Sequence, residues 1–163
     1  MPARRSRLAS TFSPLLLALA LSSTLAACDT ADEDAGLVEA QTFEDGVAKD
    51  TRDGAFRVVL TSDLEGEGDG LAVGDNTLYV RLGFHDPHNP EDPGRGIPSA
   101  NVEVLAWMPY ADGAVEGRGT YVGDGVYAVD LDLSEAGIWQ LDLEFEVGKS
   151  VADEVSFAFI IGE

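Results

Sequence analysis

The chain has 163 residues, with 10 Lys+Arg against 30 Asp+Glu, a net charge of −20, two His and one Cys. That length accommodates one compact domain with an ordinary core. The charge repels phosphate backbones and excludes a nucleic-acid partner, and a single Cys excludes an internal disulfide and a Cys-based zinc cluster.

Arg4, Arg5 and Arg7 make a basic start, and Pro14–Leu21 follows as a short apolar run. The run is too short to span hydrocarbon, which takes about 20 residues. A basic start, a short apolar centre and small residues before a cleavage point describe a secretory signal. The region Leu25-Ala26-Ala27-Cys28 reads as a bacterial lipobox, and the one Cys of the chain occupies its reactive position. Residues 1–27 are therefore predicted to be a lipoprotein signal peptide, with Cys28 acylated and left as the new N-terminus. An ordinary signal peptide cut near Ala27, with Cys28 incidental, is the alternative. Asp29 resembles the inner-membrane retention signal of some bacteria.

Removing residues 1–27 takes away three Arg and no acid, leaving 7 basic and 30 acidic residues, net −23. The acyl chains would then supply the membrane affinity, at about 0.8 kcal/mol per buried methylene. Anionic head groups would repel so acidic a body. The expected location is the cell envelope, lipid-anchored to a bacterial membrane and facing the periplasm or the exterior.

Residues 29–54 hold nine acids, two basic residues and scattered apolar ones, Leu37, Val38, Phe43 and Val47. With no helical or strand period, residues 28–54 read as an acidic flexible tether. A partner-binding acidic segment centred on Phe43 is the alternative.

From Ala55 the texture changes to alternation. Phe56, Val58 and Leu60 fall on one face, as do Leu78, Val80, Leu82 and Phe84. Val102, Val104, Ala106 and Met108 repeat the pattern, followed by Tyr127, Val129, Leu131 and Leu133. Trp139 to Val147 and Val155 to Ile161 complete it. Period-2 alternation predicts half-buried strands. Turn signals separate them, among them Gly66-Glu67-Gly68-Asp69-Gly70, Asp86–Pro98 and Gly123-Asp124-Gly125. With a short strand near Arg118–Val122, about seven strands result. The predicted fold is all-β, a single immunoglobulin-like antiparallel sandwich over residues 55–163.

The segment from Gly74-Asp75-Asn76 to Trp139 resembles the YtkA-like (FixH-related) family of small bacterial extracytoplasmic β-sandwich domains. The matching pieces are Gly74-Asp75-Asn76 before Leu78–Phe84, Gly96-Ile97-Pro98-Ser99-Ala100-Asn101-Val102, Trp107-Met108-Pro109, Gly123-Asp124-Gly125-Val126-Tyr127 and Ala136-Gly137-Ile138-Trp139-Gln140-Leu141. The likeness covers most of residues 56–163. It implies the fold and an envelope location, and some members are linked to copper handling or oxidase assembly. Such members often continue Met-Pro with further Met and a His. Here Met108-Pro109 continues as Tyr110-Ala111-Asp112-Gly113.

Three features invite a ligand. Copper(I) wants soft donors and copper(II) imidazole and carboxylate, and the mature chain offers His85, His88 and Met108. His85 is expected on an outer strand end, His88 in the Pro-rich loop and Met108 in the core. Calcium accepts hard oxygens on flexible backbone, and Asp63, Glu65, Glu67, Asp69 and Asp75 crowd a Gly-rich loop without EF-hand spacing. If Tyr127–Leu133 and Trp139–Val147 form a hairpin, Asp130 falls opposite Asp142, where a cation or Arg118 would relieve the repulsion. Catalytic signatures, from the Gly-x-Ser-x-Gly elbow to the P-loop, do not occur.

The sequence thus predicts a non-catalytic binding or structural module in the envelope, with a metal-handling accessory domain (copper, then calcium) as the alternative. Its one assigned site is lipidation of Cys28. No catalytic, cofactor-binding or metal residue is assigned. The expected partners are the membrane, through that lipid, and an envelope protein.

Overall fold

The computed structural model describes residues 38–162, apart from 91, 93 and 150. The predicted signal peptide, Cys28 and the first part of the predicted tether lie outside the described residues. Ten strands run in chain order: β1 Gln41–Thr42, β2 Val47–Asp50, β3 Phe56–Thr61, β4 Gly74–Phe84, β5 Ala100–Trp107, β6 Ala114–Arg118, β7 Thr120–Gly123, β8 Val126–Leu133, β9 Gly137–Val147 and β10 Val151–Ile161.

They form two five-stranded sheets. Sheet A has the order β1-β10-β9-β5-β6 and sheet B the order β2-β3-β4-β8-β7. All pairings are antiparallel except β1 with β10. The alternation in the sequence explains the layering, because successive side chains of a strand point to opposite faces. Val58, Leu60, Leu78, Val80, Leu82, Val129, Leu131 and Leu133 line the inner face of sheet B. Val102, Val104, Leu141, Leu143, Phe145, Phe157 and Phe159 line that of sheet A. An all-β sandwich is the result, as the patterning predicts.

The strand count is ten rather than seven, for two physical reasons. The predicted strand near Arg118–Val122 is two strands, because the chain leaves sheet A after Arg118 and joins sheet B at Thr120. Gly119 sits at the corner, where an added Cβ would lie 2.8 Å from Val102 Cβ. The other two strands, β1 and β2, fall inside residues 28–54, so the reading of that whole span as flexible tether is corrected for residues 38–54. Phe43 buries its ring edge-on against Phe159, 4.9 Å between centroids. The acids around it masked that anchor in the sequence, and side-chain bonds rather than a long apolar face hold the segment in place.

The hairpin between Tyr127–Leu133 and Trp139–Val147 is also corrected. β8 pairs with β4 and β7 in sheet B, whereas β9 pairs with β5 and β10 in sheet A. The connection at 134–136 changes sheets, and Trp139 Nε1 donates to Glu135 O at 2.9 Å to fix the crossing.

The opposite end is pinned by close approach. Tyr127 Oη donates to Ile97 O at 2.6 Å and accepts the Ala100 N–H at 2.8 Å, and burial pushes its phenol above the usual pKa. Gly96 and Gly125 meet there, and a Cβ on Gly125 would stand 2.4 Å from Gly96 Cα. Gly125 also has a φ of 80°, in the left-handed region that favours glycine.

Candidate functional site

The residues singled out for copper are placed apart in role. His85 follows β4, and its Nδ1 comes within 3.0 Å of Asp50 Oδ1, which also receives Arg57 Nη1 at 2.9 Å. Its approach is out of line for a hydrogen bond, and the side chain is only 17% exposed. His88 is 93% exposed, 3.5 Å from Asp86 in its own loop. Met108 packs against the core beside Gly137, as the alternation anticipates. Among the described residues no group of three or more His, Cys, Asp or Glu side chains is arranged to hold a metal ion.

In the acidic loop Asp63 turns its carboxylate on the loop's own backbone. Asp63 Oδ1 accepts the N–H groups of Glu65 and Glu67, each at 3.0 Å, and that of Gly66. Asp45 accepts from Ser62 and from Gly68 N at 2.7 Å, tying the loop to the turn before β2. Asp75 stands in β4 opposite Asp132, outside this set. These carboxylates satisfy turn donors, the usual work of Asp in a loop.

Asp130 and Asp142 lie in different sheets. Asp130 stands opposite Thr77 and accepts its hydroxyl at 2.9 Å. Asp142, on the outer face of sheet A, accepts Trp107 Nε1 at 2.7 Å, Gln140 Nε2 at 3.0 Å and Ser156 Oγ at 2.6 Å. Neither faces the other, and neither faces Arg118.

The register places a different acidic row on that outer face. Glu103 pairs with Glu144, and Glu144 with Glu154, so three carboxylates stand side by side on β5, β9 and β10. Neighbouring strands are about 4.8 Å apart, and like charges directly opposite destabilise a sheet. Cations relieve the two flanks: Arg118 Nη2 donates to Glu103 at 2.6 Å, and Arg52 pairs with Glu154. Asn101 and then Arg118 hold Glu103 below the ordinary carboxylate range. The row floors a furrow of about 670 Å³, walled by Asn101, Glu146 and Ala152. Alternation alone placed each Glu outward, but their adjacency depends on strand order, which a single sequence does not display.

Among the described residues one carboxylate is buried. Asp153 accepts Thr51 Oγ1, Asp53 N at 3.0 Å, Ala55 N at 3.2 Å and Glu154 N at 2.9 Å. Burial pushes its pKa up, and these four hydrogen bonds together outweigh burial and hold it below the usual value. It binds the segment after β2 to the edge of β10, a structural role that no motif announces.

A two-sheet, all-β sandwich with a broad polar outer face defines the class of molecule, a small all-β domain. The family follows from comparison. The YtkA-like family model matches residues 57–144, more than half of the chain, and the protein belongs to that family. The match runs from β3 into β9 and covers most of residues 56–163, as the motifs indicate. No curated protein and no solved structure matches the chain.

Proposed function

We propose that this YtkA-like protein is a bacterial lipoprotein, anchored through lipid on Cys28, whose sandwich is a non-catalytic binding or structural module of the cell envelope. The observation that carries the reading is Leu25-Ala26-Ala27-Cys28 after a basic start and a short apolar run, with the chain's one Cys at its end. Family membership supports a small extracytoplasmic domain. The folded part supports a binding or scaffold role, because Asp45, Asp63 and Asp153 satisfy backbone donors and Glu103, Glu144 and Glu154 line an open sheet face. Lipid supplies membrane affinity without a spanning helix, and among the described residues no helix is long and apolar enough to cross a membrane.

The test is the full chain expressed in a bacterial host and floated with its membranes. The parent should float, and the mass of its N-terminal peptide should carry acyl chains on Cys28. Cys28→Ser should lose the acyl mass. A soluble parent with an unmodified Cys28 would sink the anchor.

A further inference from the structure

Each sheet of the sandwich ends in two edge strands, and native edges are blunted by shortness, by an inward charge or by a bulge. Three of the four edges carry such a device. β1 has two residues. β2 has four and turns Lys49 inward, beside Val58 and over the Phe157 ring. β7 has four and a register shift between Tyr121 and Gly123. β6 differs: its five residues run in unbroken register with β5, from Arg118 opposite Glu103 to Ala114 opposite Trp107.

The ladder between β5 and β6 fixes which backbone groups face outward. Gly119 N donates to Val102 O at 2.8 Å. Bonded and non-bonded pairs alternate along an antiparallel ladder, so Gly117 with Val104 and Val115 with Ala106 are the bonded pairs. The N–H and C=O groups of Ala114, Glu116 and Arg118 therefore point away from β5. Among the described residues none of these six groups takes a partner. The side chains beside them are uneven. Arg118 is held by Glu103 at 2.6 Å. Glu116 has no ion pair among the described residues and stands next to Leu105, which is 39% exposed. In the row beyond, the small Ala114 is all that separates the edge from Trp107, whose Nε1 is fixed by Asp142.

We propose that the free edge of β6 docks an extended segment of a protein partner, added to sheet A as a further strand, with a Lys or Arg opposite Glu116 and a large apolar residue opposite Ala114. Backbone bonds supply the affinity in such an addition, and alternate side chains supply the selection. Charge complementarity chooses the basic residue. Glu116 is unpaired on a face that also carries Glu103, Glu144 and Glu154, in a chain of net charge −20. The apolar residue reaches Trp107 across Ala114, since neighbouring strands lie about 4.8 Å apart. A second copy of the chain fits poorly. With outer faces aligned, a two-fold pairing centred on Glu116 sets that carboxylate against its own copy. The neighbouring registers, centred on Val115 or Gly117, align only residues 114–116 or 116–118 of the strand. The proposal rests on the reading of the sandwich as a binding module and not on the anchor at Cys28.

The experiment uses the full chain from a bacterial host, purified from whichever fraction holds it, with detergent present. The probe is the blocked peptide Thr-Val-Lys-Val-Phe, whose antiparallel register sets Lys opposite Glu116 and Phe opposite Ala114. Amide exchange is read by NMR. Without peptide, the amides of Val115 and Gly117 should exchange slowly and those of Ala114, Glu116 and Arg118 fast. Peptide at about ten times its Kd should slow the fast set about tenfold. Glu116→Lys should weaken this peptide about fivefold and strengthen its counterpart with Glu in place of Lys by a similar factor. No slowing at millimolar peptide would overturn the proposal, as would a Kd that Glu116→Lys leaves unchanged. Slowing confined to Glu103, Glu144 and Glu154 would keep a binding face and overturn the edge. Slow amides throughout β6 in a peptide-free protein that sediments as a dimer would give the edge to a second copy and overturn the partner. A parent that floats but shows no slowing keeps the anchor and loses the edge. A soluble parent with the alternating pattern keeps the edge and loses the anchor.

Discussion

The sandwich is closed at both edges by a segment that leaves one sheet and joins the other, and the two edges do it by opposite means. At one edge β1 and β2 are joined by Phe43–Gly46, and the segment is held by what its side chains donate and accept. Lys49 Nζ donates to Ser156 O at 2.9 Å, Arg52 N to Glu154 O at 2.8 Å, and Thr51 and Asp153 are bonded within the buried layer. At the other edge β6 and β7 are joined by one residue, and the closure depends on side chains that are missing. A Cβ on Gly117 would lie 2.5 Å from Val129 Cγ1, and one on Gly119 would lie 2.8 Å from Val102 Cβ and 3.0 Å from Tyr127 Cβ. Both devices leave short edge strands, of two and four residues at one edge and five and four at the other, and short edges template aggregation poorly. The difference teaches that the first edge responds to charge and pH, whereas the second responds to volume.

The largest expected effect breaks the first edge. Asp153→Ala leaves three backbone N–H groups without their acceptor and Thr51 Oγ1 with Phe56 O alone, at a cost of about 4 kcal/mol. Urea unfolding measures it. Asp153→Asn keeps the shape and adds the pH test. Because folding lowers the pKa of Asp153, its carboxylate stabilises the fold above the unfolded-state value of about 3.9 and loses that contribution as pH falls toward the folded-state value. The gap between parent and Asp153→Asn should therefore be widest at neutral pH and narrow below pH ~4. A gap that stays constant down to the acid transition would show that the charge contributes nothing.

The second edge should break by crowding, and without pH dependence. Overpacking costs about 1–3 kcal/mol. Gly119→Ala belongs at the upper end, because the Cβ atoms of Val102 and Tyr127 cannot rotate aside. Gly117→Ala belongs lower, because its two nearest atoms are side-chain ends on Val129 and Leu131 that can shift and the backbone oxygen of Asp130 lies farther off, at 3.2 Å. Melting curves at pH 7 and pH 4.5 should give each variant the same loss. A loss that varied with pH would erase the contrast between the edges.

The same contrast explains what the sequence discloses. Strands β3, β4, β5, β8, β9 and β10 were legible because each carries three or more alternating apolar residues that the core requires. β1 and β2 were not: their stability comes from Phe43 on Phe159 and from bonds between residues about 100 apart in the chain, which local pattern cannot express. Gly117 and Gly119 were visible, but a glycine's meaning lies in the neighbour it admits. The candidate site follows the same division. The outward Glu103, Glu144 and Glu154 could be read one at a time, while the row they form required the order β5-β9-β10. Asp130 and Asp142 show the converse, since sequence-adjacent strands suggested a pairing that the change of sheet at 134–136 prevents.

The smallest effects sharpen the first edge by separating its two cations. Lys49 is partly buried, and burial lowers its pKa. Its ammonium bonds the Ser156 carbonyl and lies 4.9 Å from the centre of the Phe157 ring. Lys49→Ala should cost about 1 kcal/mol, the sum of a modest hydrogen bond and a weak cation–π contact, and high salt should barely alter it. Arg52 pairs with Glu154 from a side chain that is 75% exposed, while its backbone N–H holds the Glu154 carbonyl regardless of side chain. Arg52→Ala should therefore cost at most about 0.5 kcal/mol, and added salt should abolish the difference. If both variants lost equal stability and both losses vanished in salt, the edge would be held by diffuse charge, and the bonds to the β10 carbonyls would be incidental to it.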